Sequence, residues 1–250
     1  MTAAPVEVLN PDGTGRVVIL CEHASRRIPQ HYGDLGLKPS DRDSHAAWDP
    51  GARDLALALS RALDAPVVAA TVSRLVYDCN RPPDAASAMP AKSELIQVPG
   101  NADLTQSDRD ARTRAVYDPF CAAVNSVLDA RGPDTIVVTV HSFTPTYFGQ
   151  PRAVELGLLH DTDSRLVDAM LDHVDRIPQR HVARNEPYGP ADGVTHSLCL
   201  HALSRGLANV MLEVRNDLLR TPDEIADRAQ EILMLLEPAL TDIAVREDQT

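Results

Sequence analysis

The chain has almost no lysine. Only Lys38 and Lys92 stand among its 24 basic residues, and the other 22 are arginines. Basic charge of either kind is outnumbered by 36 acidic residues, which leaves a formal net charge of −12. That balance argues against nucleic acid and anionic membrane as partners, since both need a net positive face. Long apolar runs are missing too: nothing reaches the roughly 18 residues of a transmembrane helix. The opening MTAAPVEVLNPDG lacks the basic-then-apolar order of a signal peptide, so the expected compartment is the cytoplasm. The four cysteines, Cys21, Cys79, Cys121 and Cys199, are far apart and form no CxxC. They read as reduced, mostly buried small residues rather than as a zinc knuckle. Cys21 and Cys79 lie in apolar surroundings with no neighbour to lower a thiol pKa, which favours structural roles. There is no P-loop, no GxGxxG and no GxSxG elbow, although Ser142 follows His141. Nucleotide binding and serine-elbow hydrolysis therefore have no support.

What the chain does have is 44% hydrophobic residues over 250 positions, enough for one large domain, 1–250, with a full core. Residues 1–15, with two prolines and two glycines, read as a mobile lead-in, and 245–250 as a frayed tail. Apolar strand-length runs occur at 16–21, 65–72, 134–143, 152–160 and 207–217, with a shorter one at 73–81. Helical spacing covers 41–63, where Ala47, Ala52, Leu55, Leu59 and Leu63 share a face, then 103–131, 163–175, 194–205 and 221–244. Residues 84–102 are rich in Ala, Ser, Pro and Gly and read as a long surface loop. Strands alternating with helices predict an α/β sandwich around a largely parallel, buried sheet.

Sites in such sheets collect beyond the carboxyl ends of the strands. Four expected strands end in polar groups: Glu22-His23, the 78–81 segment, His141-Ser142 and Glu213-Val214-Arg215. Together they supply the inventory of a metal hydrolase for an anionic substrate. His23 and His141 are candidate metal ligands. A catalytic zinc usually takes three protein ligands. His45 and Asp49, four residues apart and on one face if helical, are both candidates for the third, the other then supporting from behind. Glu22 is a further candidate, with its side chain directed away from His23 if the strand continues. Glu213 is placed to act as general base beside a water activated by the metal. Asn80 and Arg81 suit a substrate carboxylate, and Arg74 and Arg215 add positive charge. His196, after Gly193, is a candidate substrate contact or a cap of its own helix, and Tyr147 or Tyr188 is expected near the mouth.

Six ordered blocks carry a resemblance: LCEHASRRIP (20–29), HAAWDPGA (45–52), SRLVYDCNRPPD (73–84), HSFTP (141–145), NEPYGPADGVTH (185–196) and EVRNDL (213–218). They resemble the N-formylglutamate amidohydrolase family, which is similar in plan to the zinc carboxypeptidases and the aspartoacylase-like deacylases. The resemblance implies a phosphorylase/hydrolase-like, zinc-peptidase-like three-layer sandwich. It implies a zinc ion, with His23 and His141 matching the metal-binding histidines, Asn80 and Arg81 the carboxylate-gripping pair, and Glu213 the base. It also implies removal of a formyl group from the α-nitrogen of glutamate. The expected partner is thus a small anionic N-acyl amino acid, met by a monomer or small homo-oligomer. The chain departs from the related pattern at Arg26, where an acidic ligand would stand, so HAAWD becomes the supplier of that ligand. His45 also precedes Asp49, where the histidine-degradation enzymes tend to a DxDWH-like order. A divergent branch acting on another N-acyl amino acid or small peptide, or a binder that lost the metal, are the alternatives.

Overall fold

The structure, a computed structural model, describes residues 3–247. Its strands, in chain order, are β1 (Val6–Leu9), β2 (Val17–Cys21), β3 (Val67–Ala70), β4 (Lys92–Ser93), β5 (Ile96–Gln97), β6 (Ile136–Phe143), β7 (Thr146–Tyr147), β8 (Gln150–Pro151), β9 (Leu156–Leu159), β10 (Val182–Arg184) and β11 (Asn209–Arg215). The helices are α1 (Pro39–Arg42), α2 (Ala52–Leu63), α3 (Gln106–Arg112), α4 (Asp118–Asp129), α5 (Arg165–Leu171) and α6 (Pro222–Glu247). Two small hairpins, β4–β5 and β7–β8, stand apart from a seven-stranded sheet of order β1-β3-β2-β6-β11-β9-β10. β2, β3, β6 and β11 run parallel. β1 lies antiparallel along β3 at one edge, and β9, with β10 parallel to it, lies antiparallel along β11 at the other.

β2 and β6 are buried throughout, which is why they read as continuous apolar runs rather than as alternating ones. On one face Ile19, Val138 and Leu212 pack with Leu55 and Leu59 of α2, Leu166 of α5 and Leu236 of α6. On the other, Val18, Leu20 and Val137 pack with Phe120, Val124 and Leu128 of α4. This is the expected mixed α/β architecture of a mostly parallel sheet between helical layers. Among the described residues no helix is long and apolar enough to cross a membrane.

Several local expectations are corrected. The lead-in is not loose throughout, because half-buried Val6–Leu9 closes the sheet edge against β3; Met1 and Thr2 lie outside the described residues. The helix expected over 41–63 begins only at Ala52. Pro50 precedes Gly51, whose φ of +80° is left-handed backbone, and a Cβ there would meet Leu219 Cβ at 2.4 Å. The 73–81 segment is a series of turns rather than a strand. Ser73 Oγ accepts from Leu75 N at 3.2 Å and donates to Ala47 O at 2.7 Å, drawing the backbone out of an extended course. β9 is only four residues long, and β10 has no counterpart in the sequence reading. Of the expected frayed tail, residues 245–247 continue α6, and 248–250 lie outside the described residues.

The irregular stretches are held by a buried polar node. Arg112, at the end of α3, donates to Asn101 Oδ1 at 2.6 Å, Val76 O at 3.2 Å and Gly100 O at 3.2 Å. Asn101 in turn donates to Leu75 O at 2.8 Å and Pro90 O at 3.0 Å. One guanidinium therefore ties the 73–81 turns and the 84–102 loop to the helical layer. Arg112→Met keeps the stem but strands these acceptors, and should lower unfolding free energy by about 3 kcal/mol. Urea denaturation checks this, and an unchanged midpoint would discount the node.

Candidate active site

Three parallel strands deliver the central groups. β6 and β11 are in register with His141 opposite Glu213, so both side chains leave the same face of the sheet. Leu20 pairs with Thr139, which brings Glu22 level with His141. β2 ends at Cys21, so Glu22 and His23 lie in a turn and are freed from strand alternation. The 43–51 stretch then folds across these strand ends. Asp49 N donates to His23 O at 3.0 Å, and Ser142 Oγ donates to Pro50 O at 2.7 Å.

The result is a tight, buried cluster. His23 Nδ1, His141 Nδ1 and Asp49 Oδ2 are mutually 3.0 to 3.1 Å apart. The outer nitrogens have carboxylate partners: His23 Nε2 lies 2.7 Å from Asp78 Oδ1, and His141 Nε2 lies 3.2 Å from Glu22 Oε2. Each Nε2 thus faces a carboxylate, and each Nδ1 faces the Asp49 oxygen. Three such atoms packed this closely need positive charge among them, a proton on His141 or a metal ion. Ligands about 2.0 Å from a tetrahedral zinc ion stand roughly 3.3 Å from one another, close to the spacing here. His23, Asp49 and His141 therefore fit a divalent metal, with Asp78 and Glu22 as orienting carboxylates.

The electrostatics ask for the same thing. Glu22, Asp49, Asp78 and Glu213 are all buried, and the guanidinium ion-paired among them is that of Arg74. Arg74 spans two of them, at 3.3 Å from Asp49 Oδ1 and 2.9 Å from Asp78 Oδ2. Burial pushes the Asp49 and Asp78 carboxyls up, but His23 and Arg74 outweigh it and hold both below the carboxylate range. Burial also works against a charged His141, yet Glu22 and Asp49 hold its pKa well above the usual value. Glu213 behaves differently: burial dominates and pushes its carboxyl up to about 7.

These groups open into a cavity of about 300 Å³. His23, Asp49, His141, Glu213, Arg74, Asn80 and Arg81 all line it. The Arg81 guanidinium has no carboxylate partner among the described residues and donates only to Asn80 O, at 2.8 Å. The Asn80 amide is engaged with the opposite loop, donating to Val194 O at 2.6 Å and accepting from Ser197 N at 2.9 Å. His45 also reaches the wall, but away from the cluster. Without the expected helix it does not share a face with Asp49, and its Nε2 pairs with Glu94 Oε2 at 2.7 Å. The structure does not bring Arg215 to the cavity, because it is ion-paired with Asp217 and Glu155. Nor does it bring His196, whose Nε2 lies 2.8 Å from Tyr117 Oη. Tyr147 and Tyr188 are on the wall as expected. Burial raises the Cys21 and Cys79 thiol pKa values far above normal, so neither is a nucleophile at neutral pH. Sequence reasoning missed the Asp78 contact to His23, the Glu94 partner of His45, and Arg152, which is stacked on the cavity's rings. Asp78 had a signal, lying in the polar end of the 73–81 segment, whereas the other two depend on which loops fold together.

The chain is similar to known proteins over most of its length. The family model of N-formylglutamate amidohydrolase matches residues 15–220. A gene product of Agrobacterium tumefaciens, Atu2144, has a crystal structure similar to this chain, with 51% identity, a TM-score of 0.94 and 97% of each chain covered. The crystal structure of N-formylglutamate amidohydrolase from Ralstonia eutropha JMP134 shares the fold at 20% identity and a TM-score of 0.68, covering 95% of this chain and 97% of that one. No curated protein matches. With a family match running from β2 through β11, this chain belongs to the N-formylglutamate amidohydrolase family, a family of hydrolases.

Proposed function

We propose that the protein is a zinc-dependent amidohydrolase that removes an N-acyl group, formyl above all, from an anionic amino acid such as glutamate. The observation that carries this reading is the convergence of His23, Asp49 and His141 on one point beside the buried Glu213. When bound by those three residues, the metal supplies Lewis acidity toward the acyl carbonyl and toward water. The chain's own groups do the rest. Asp78 and Glu22 fix the two imidazole rings. Glu213, with a pKa near 7, takes the proton of the attacking water and returns it to the leaving nitrogen. Arg81, without a carboxylate partner of its own, holds the substrate carboxylate through its planar fork. A cavity of about 300 Å³ suits a small acyl amino acid rather than a peptide. The products are formate and the free amino acid, and the proposed compartment is the cytoplasm.

Glu213→Gln should keep its metal but lose about 10³-fold in kcat on N-formyl-L-glutamate. Turnover near the wild-type level with metal retained would sink the base assignment. The third ligand is tested by zinc analysis: Asp49→Ala should lose the ion after dialysis, and His45→Ala should keep it. The opposite pattern would make His45 the ligand. Arg81→Ala should raise KM for the acyl amino acid by about 10- to 100-fold, and steady-state kinetics with an unchanged KM would reject the carboxylate grip.

A further inference from the structure

We infer that Tyr188, backed by Arg152, is a specificity-determining donor that binds the second carboxylate of a dicarboxylic substrate. This rests on the hydrolase reading above and adds the residue that selects the side chain.

The argument begins with one proton. Arg152 Nη1 donates to Tyr188 Oη at 2.9 Å. A phenol oxygen that accepts from a guanidinium keeps its own O–H for another acceptor. Among the described residues no atom takes that proton, and Tyr188 lines the cavity. The open direction for the hydroxyl is therefore the cavity. Burial raises the Tyr188 pKa, and the Glu213 charge raises it further, so the group remains a protonated donor at neutral pH.

The backing charge is well kept. Arg152 lies over the rings of Tyr147, Tyr188 and Phe143, at 4.4, 4.8 and 5.4 Å from their centroids. It has no carboxylate partner among the described residues. Rings exclude water, so the field of this cation is weakly screened where it polarises the phenol.

Other cations near the cavity are committed elsewhere. Arg74 is held between Asp49 and Asp78, His45 faces Glu94, and Arg215 faces Asp217 and Glu155. Two remain without a carboxylate, Arg81 and Arg152, and they come from separate segments of the chain. A substrate with two carboxylates matches two such positions, one direct and one relayed through a phenol.

The test uses the zinc-loaded chain, as wild type and as Tyr188→Phe, which keeps the ring over Arg152. Kinetics compare N-formyl-L-glutamate with N-formyl-L-glutamine, whose side chain is isosteric but uncharged. The expected result is a KM about tenfold higher for formylglutamate in the variant, with formylglutamine changed by less than about threefold. Calorimetry then compares glutarate with butyrate, which lacks the second carboxylate. Wild type should prefer glutarate, and the variant should lose that preference. An equal loss on both acyl amino acids, or a wild type that does not prefer glutarate, overturns the inference. If the wild type turns over neither acyl amino acid yet shows a Tyr188-dependent preference for glutarate, the hydrolase reading falls and this subsite stands.

Discussion

Two imidazole nitrogens and a carboxylate oxygen, all buried, face one another at hydrogen-bond distance. Most of the surrounding structure answers that constraint. Asp78 and Glu22 stand behind the rings, each facing an outer nitrogen. Arg74 compensates two of the carboxylates. The Pro50–Gly51 break stops α2 from starting earlier and lets Asp49 reach across the strand ends. Without that break Asp49 would lie on a helix surface and the cluster would lack its oxygen.

The scarcity of lysine gains a structural meaning here. Arginine's fork reaches several acceptors at once, and the chain uses it that way repeatedly. Arg74 joins two carboxylates, Arg112 joins two loops, and Arg27 bonds both Thr71 O and Thr71 Oγ1 at 2.8 Å. A single ammonium could not hold these planar arrangements. An acidic chain of net charge −12 thereby keeps a few positive groups fixed where they act.

Legibility in the sequence followed the sheet. His23, His141 and Glu213 are readable because each stands near or just beyond the carboxyl end of an apolar strand, and parallel strands place such ends side by side. The His45–Asp49 alternative was undecidable from spacing, since a four-residue interval has meaning only on a helix. The Pro-Gly pair that cancels the helix was in plain view, yet the apolar spacing across it was regular enough to mask it. The 73–81 turns read as a strand because Leu75, Val76 and Tyr77 are fully buried, and burial alone does not distinguish a turn from a strand. Arg215 is misplaced for a different reason. It follows Glu213 by two residues, but Asp217, two residues further on, and Glu155, 60 residues away in the sequence, hold it instead.

The order of strands in space differs from their order in the chain. Among the described residues β11 is the last strand in sequence, yet it sits between β6 and β9. Until it inserts, β9 and β10 have no ladder to the rest of the sheet. Glu213 arrives on that same strand. Such long-range pairing raises contact order and makes sheet completion a late folding step. A nascent or truncated chain that stops short of β11 lacks the outer strands' attachment and the general base together, so structural maturity and chemical competence coincide.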